Sequence, residues 1–156
     1  MAAYFLDTSA LVKRYAAEAG TGWIRWLTDP KQRHAIYISD AAGPEMIAAL
    51  VRRAKGNTLS PADLRQVLAV FRRHWRGQYR RMQLHDLIIE QAMLLAERHA
   101  LRGYDAVHLA AALELADEFR LRGAFSPVMV SADVEQITAA MSEGLEVENP
   151  NLKAED

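Results

Sequence analysis

Four acidic side chains carry the chemistry that this sequence offers. They are Asp7 in YFLDTSALVKRY, Glu45 in ISDAAGPEMIAAL, Asp105 in LRGYDAVHLAAAL and Asp133 in PVMVSADVEQI. Asp7 and Asp133 follow short apolar runs that read as strands, whereas Glu45 and Asp105 open alanine-rich segments that read as helices. In an open α/β sheet, functional groups collect outside the carboxyl ends of the strands, so all four map to one edge. Four carboxylates in one place repel one another unless a cation sits among them. An all-oxygen site of this kind suits Mg²⁺ or Mn²⁺. Such a cation binds a phosphodiester oxygen and lowers the pKa of a water that attacks phosphorus in line. Mg²⁺ takes only one or two direct carboxylates and keeps several waters, so some of the four act through water. The plain alternative for any single aspartate is a helix cap or a surface charge. It weakens when four separate acids fall on the same sheet edge.

Ser9 lies two residues after Asp7, and Ser131 two residues before Asp133. Their hydroxyls suit the task of orienting a ligating carboxylate, and capping a helix is the competing use. His108 falls one helical turn after Asp105. It reads either as a proton donor facing the site or, more plainly, as a histidine packed in its helix. The other histidines show no metal-ligand spacing, and there is neither a G-x-G-x-x-G nor a Walker loop. Asp29, Asp40, Asp63, Asp86 and Asp117 do not share the strand-end placement and read as caps, turns or surface.

Alternating elements position these residues. Ala3–Leu6 is a strand, followed by a short helix with Leu11, Val12, Tyr15 and Ala16 on its buried stripe and Thr8 or Ser9 at its cap. Gly20 and Gly22 interrupt it, and a second helix carries Trp23, Ile24 and Leu27. Residues 34–39 form a β-branched strand. Pro44 suits the first turn of the next helix, which carries Glu45 with Ile47, Leu50 and Val51 inward. Ser60-Pro61 starts another helix, reaching about Trp75. Residues 79–84 read as a strand, 86–100 as a helix stopped by Gly103, and 104–119 as an alanine- and leucine-rich helix. Residues 128–131 are a strand, 134–141 a helix and 145–147 a last strand. The order βααβααβααβα(β) predicts an α/β fold, a three-layer α/β/α sandwich around a central, mainly parallel sheet.

The chain has 156 residues, 51% of them hydrophobic and 25% charged, which bounds it to a globular domain with a real core. No cysteine is present, which excludes disulfides, thiolate metal sites and a cysteine nucleophile. No signal peptide or membrane span is visible, and the expected location is cytoplasmic. The net charge of −1 hides an asymmetry. Between Arg52 and Arg81 lie nine basic residues and a single acid, Asp63; from Ser131 onward lie seven acids and one base, Lys153. A basic middle suits a nucleic-acid face, and a solvated helical face is the plainer reading.

The segments FLDTSALVKRY, PEMIAALVRR, LRGYDAVHLAAAL and VMVSAD followed by GLEVENP resemble a PIN domain, and most closely the VapC toxins of toxin–antitoxin pairs. The resemblance runs from Ala3 to about Pro150. It implies a single domain over residues 1–150 with a short tail over 151–156. It also implies a Mg²⁺- or Mn²⁺-dependent endoribonuclease cutting single-stranded or loop RNA. On that pattern Asp7 and Asp105 are direct metal ligands, Glu45 and Asp133 complete the cluster directly or through water, and Ser9 and Ser131 support it. A homodimer and a small antitoxin encoded beside the toxin are implied as partners. RNA phosphates approaching four acids need a compensating positive field, which is assigned to Arg72, Arg73, Arg76, Arg80 and Arg81. Two departures stand out. Residues 121–127 lengthen the connection between Asp105 and Asp133, and Gly43-Pro44 directly precedes Glu45.

Two other classes compete. A haloacid-dehalogenase-like phosphatase needs a second aspartate two residues after the first, where this chain has Ser9. A catalytically silent PIN-like module binding RNA or protein would have no use for four unbalanced carboxylates.

Overall fold

The structure is a computed structural model that describes residues 2–153. Strand β1 (Ala3–Leu6) leads through Asp7 into a single helical turn, α1 (Thr8–Leu11), which continues as a 3-10 turn over Val12–Arg14. Helix α2 (Thr21–Thr28) and strand β2 (Ala35–Ser39) follow. Helices α3 (Ala42–Lys55) and α4 (Pro61–Gly77) lead to the short strand β3 (Arg80–Met82). Helices α5 (Asp86–His99) and α6 (Gly103–Leu121) lead to β4 (Val128–Val130), α7 (Val134–Ser142) and β5 (Val147–Glu148). The five strands are ordered β3-β2-β1-β4-β5, and every pairing is parallel.

Strand alternation divides the core in two. Phe5 and Met129 point to one face, where they pack with Ile88, Leu95, Leu109 and Leu115 of α5 and α6. Leu6, Ile36, Ile38 and Val130 point to the other, packing with Leu11, Ile24, Met46, Leu50 and Phe71 of α1 to α4. These two apolar layers make the three-layer α/β/α sandwich. In α6 the buried residues include Ala106, Ala110, Ala111 and Ala112, whose small side chains let the helix lie close to its neighbours.

The order of strands fixes the place of the site. The chain builds outward from β1 through β2 to β3, then crosses to β4 on the other side of β1. The crevice between the carboxyl ends of β1 and β4 is therefore the topological switch point, where such sheets bind ligands. Leu6 pairs with Val130, and the Asp7 N–H donates to the Val130 carbonyl at 3.1 Å.

Several local expectations need correction. Asp7 itself, not Thr8 or Ser9, caps α1, because its backbone is still extended while its carboxylate accepts the Ala10 N–H. Helix α5 ends at Ala100, which takes the left-handed conformation (φ 53°). That turn lets Leu101 reach the core, and Gly103 opens α6 instead of closing α5. On α3 the buried stripe is Ala42, Met46 and Leu50, spaced four apart, and Val51 is exposed. Strand β3 holds three residues because its neighbours Gln83 and Leu84 leave the ladder. Within the segment read as a tail, Pro150–Leu152 forms a 3-10 turn. Gly20 has a positive φ there, and a side chain at that position would strike the Pro150 backbone. Residues 154–156 lie outside the described residues.

Candidate active site

Asp7 sits at the switch point, 1% exposed, with both carboxylate oxygens engaged. Oδ1 accepts from the Ser9 hydroxyl at 2.6 Å and from the Ala10 N–H at 3.1 Å; Oδ2 accepts from the Ser131 hydroxyl at 2.6 Å. Burial pushes its pKa up, and the two hydroxyls, His108 and the Ala10 N–H oppose that rise. An ionised carboxylate offers about four acceptor positions, so three bonds leave about one free. The serines also tie the two strand ends together. Ser9 accepts the Ala132 N–H at 2.9 Å, and Ser131 accepts the Asp133 N–H at 3.2 Å.

Asp105 lies in the first turn of α6 and is half-buried. Burial, then the negative charges of Asp133, Asp7 and Glu45, push its pKa up to about 6 against a lowering pull from His108. The three other acids thus act on Asp105 through their charge, and among the described residues no group donates to its carboxylate. Its backbone carbonyl accepts from Gln136 Nε2 at 2.8 Å. The other amide atom of that fully buried glutamine, Oε1, has no partner.

Asp133 caps α7, its Oδ1 accepting from the Glu135 and Gln136 N–H groups at 2.9 and 3.3 Å. The cap uses only one carboxylate oxygen and leaves the second for the use expected at the site. Glu45 is held differently. The Thr8 hydroxyl donates to its Oε1 at 3.0 Å, and His108 Nε2 meets the same oxygen. A carboxylate only accepts, so Nε2 carries the hydrogen. Nδ1 pairs with the buried Ser39 hydroxyl at 2.9 Å. His108 is thus a fully buried link from the end of β2 to Glu45, joining the two readings that its position on α6 allowed.

Thr8 and Ser39 were not among the residues expected here. Ser39 ends β2 as the Asp-Thr-Ser run ends β1 and Ser131 follows β4. A hydroxyl at each strand end was the available signal.

The arrangement suits a hard divalent cation. The donors are all oxygen, Asp7 retains an unused acceptor position, among the described residues no group donates to the Asp105 carboxylate oxygens, and burial together with the neighbouring acids raises Asp105. Among the described residues, no three acids or histidines are gathered tightly enough to grip an ion by themselves. Direct bonds from one or two carboxylates, with the others acting through water, match the coordination habit of Mg²⁺.

The five arginines do not share one surface. Arg72, Arg76 and Arg81 line a groove with Trp75 and Tyr79 between α3, α4 and β3. Arg80 alternates to the other face of the sheet, its guanidinium 5.7 Å from the Tyr37 ring centre. Arg73 is exposed outside the groove.

Sheet order, layers and the acidic edge define an α/β domain of the PIN-like class. The comparisons with known proteins carry this further. The chain is 35% identical over 113 residues to ribonuclease VapC45 of Mycobacterium tuberculosis (strain CDC 1551 / Oshkosh), covering 72% of this chain and 76% of that protein. Ribonuclease VapC49 of Mycobacterium tuberculosis (strain ATCC 25618 / H37Rv) matches with the same values. The chain belongs to the VapC ribonuclease family. No protein-family model matches it. Its fold is also that of solved structures at low identity. VapBC2 from Rickettsia felis, bound to a DNA fragment from its promoter, aligns with a TM-score of 0.60 at 14% identity over 94% of this chain and 98% of that chain. FitAcB from Neisseria gonorrhoeae gives 0.61 at 15% over 96% and 99%. VapC20 of Mycobacterium tuberculosis, a sarcin-ricin loop cleaving toxin, gives 0.59 at 19% over 87% and 94%.

Proposed function

We propose that this VapC-family chain is a divalent-cation-dependent endoribonuclease and the toxin of a toxin–antitoxin pair, working through Asp7, Glu45, Asp105 and Asp133. The observation that carries the reading is the placement of Asp7 at the sheet's switch point, buried and held by Ser9 and Ser131, with Asp133 after the neighbouring strand, in a chain of this ribonuclease family. Asp7 and Asp105 are the direct ligands in this reading. Asp7 is held rigid by Ser9 and Ser131, whereas Asp105 is open to accept a ligand. Glu45 is oriented by Thr8 and His108 and takes its part directly or through water, as does Asp133 from the cap of α7. Mg²⁺ or Mn²⁺, when bound, supplies charge for the phosphodiester and an acidified water. The protein's own task is to hold the carboxylates so that this water lies in line with the scissile phosphate.

RNA is the proposed substrate, supported by relatives named as ribonucleases. A cognate antitoxin is the proposed partner, supported by fold neighbours solved as VapBC and FitAB assemblies. A homodimer belongs to the same reading. The exposed apolar side chains Leu87, Ile89, Met93 and Leu94 of α5 favour it. No helix among the described residues is long and apolar enough to cross a membrane. A cytoplasmic location goes with an RNA substrate and a cysteine-free chain. The test is cleavage of labelled single-stranded and hairpin RNA with Mn²⁺, with chelator, and with Asp7→Asn. Cleavage that persists in chelator or in the variant overturns the assignment.

A further inference from the structure

A second feature flanks the acidic site. Between α3, α4 and β3 lies a groove of about 490 Å³, lined by Gly43, Phe71, Arg72, Trp75, Arg76 and Arg81 among others. Its volume falls in the ~300–1,000 Å³ range of ligand sites. Arg72 and Arg76 stand one turn apart on the same side of α4. Arg81 reaches in from β3, its guanidinium 4.4 Å from the Trp75 ring centre and 3.6 Å from the Asp40 carboxylate. The guanidinium stacks on the indole, and the carboxylate draws it by charge without a hydrogen bond. Trp75 packs so closely on Gly43 that a Cβ there would lie 2.8 Å from the ring. The Trp75 ring therefore lies flush against α3 as part of the groove wall. Three guanidiniums against one carboxylate leave a net positive, partly aromatic cleft.

The groove and the acidic site share the end of β2. Ser39 reaches His108 and through it Glu45; the next residue, Asp40, reaches Arg81. Gly43 in the groove wall and Glu45 are two residues apart in the first turn of α3, so they face different sides of the helix, and the groove and the acidic site lie on either side of that turn. We propose that this groove is a phosphate clamp for the RNA strand, in which Arg72, Arg76 and Arg81 hold a phosphodiester that neighbours the one cut at the acidic site. Guanidinium forks match phosphate oxygens, and an aromatic wall beside them is the usual make-up of a single-strand track. The proposal rests on the nuclease reading and adds to it where the uncut part of the strand lies.

The test uses a fluorescein-labelled RNA dodecamer titrated with the full-length protein in chelator, where cation-dependent cleavage is switched off. The double variant Arg72→Gln/Arg76→Gln removes two exposed charges. Arg52→Gln/Arg65→Gln removes the same charge from other exposed positions on α3 and α4. The clamp predicts affinity about 10-fold weaker in the first variant and a salt slope shallower by about 0.7 per lost contact. The comparison variant should change far less. Equal losses in both variants, or none in the first, overturn the clamp. Loss of an acidic protein partner with RNA affinity intact also overturns it, assigning the groove to that partner. If the parent protein cleaves RNA while the groove variant binds the probe normally, only the clamp falls. If the parent cleaves no RNA with Mn²⁺, the nuclease reading falls first.

Discussion

The imidazole of His108 meets the carboxylate of Glu45 across 63 residues of sequence, and the Ser39 hydroxyl fixes the ring from behind. This pair sets how rigidly Glu45 is presented. Replacing His108 with Phe keeps a planar, somewhat larger ring but removes both hydrogen bonds, stranding the buried Ser39 hydroxyl. The expected cost is about 1–3 kcal/mol of stability and a ~10–100-fold loss in Mn²⁺ affinity or cleavage. His108→Gln, which can donate to Glu45, should recover part of the cleavage. Chemical denaturation and single-turnover cleavage measure the two effects, and a fully active Phe variant would show that Glu45 needs no support.

Asp7→Asn and Asp105→Asn should both abolish cleavage, yet they should differ in stability. Asp7 accepts three hydrogen bonds on two oxygens, and an amide has only one oxygen to offer. Loss of one or two of these acceptors is expected to cost about 1–2 kcal/mol, partly offset by removing a buried charge. Asp105 loses no donor and sheds repulsion, so its variant should melt above the metal-free parent. Thermal scans in chelator separate the two cases.

The pKa of Asp105, about 6 against an ordinary 3.8, sets a pH window. Between those values the folded protein holds a proton that the unfolded chain has released. Stability is therefore lost as pH rises through the window, and the full cost is present above about 6. Discounted for its half-open position, the cost is about 1 kcal/mol. The metal-free parent should therefore lose stability relative to Asp105→Asn as pH rises from 4 to 7. Reading the difference between the two removes groups common to both, such as Glu143, whose pKa is lowered first by His99. A pH-independent difference would show that Asp105 does not feel its neighbours.

Bound Mn²⁺ should relieve the same repulsion. At a free concentration of 100 times Kd the expected stabilisation is about 2.7 kcal/mol. Affinity should fall below pH 6, where a proton competes for Asp105. Calorimetry that detects no binding at millimolar Mn²⁺ with all four acids intact would remove the cation from the mechanism.

The fold was readable because apolar runs and helix starts recur in a regular βαα order, and because strands buried on both faces have short continuous apolar segments. Asp7, Glu45, Asp105 and Asp133 could be picked out because each follows a strand or opens a helix. The hydrogen-bonded links between elements were less visible. Ser39 and His108 are 69 residues apart, and nothing in either local segment announces their contact. The end of α5 near Ala100 was legible, but its cause was assigned to Gly103, because left-handed backbone is rare for alanine and a nearby glycine offered a more ordinary signal. The division of the arginines was hidden as well. It depends on the three-residue length of β3, whose alternation sends Arg80 and Arg81 to opposite faces.

The pairing of β1 with β4 has a consequence for biosynthesis. The hydroxyl that holds Asp7 from the far side belongs to Ser131, 124 residues later. Chains emerge from the ribosome amino end first. A nascent chain therefore displays Asp7, Glu45 and Asp105 long before β4 and Ser131 follow. Until then Asp7 has neither its second anchor nor the neighbouring charge of Asp133, and the crevice between β1 and β4 does not exist. A growing chain passes most of its synthesis with no assembled site, on the very machine whose RNA lies closest to it.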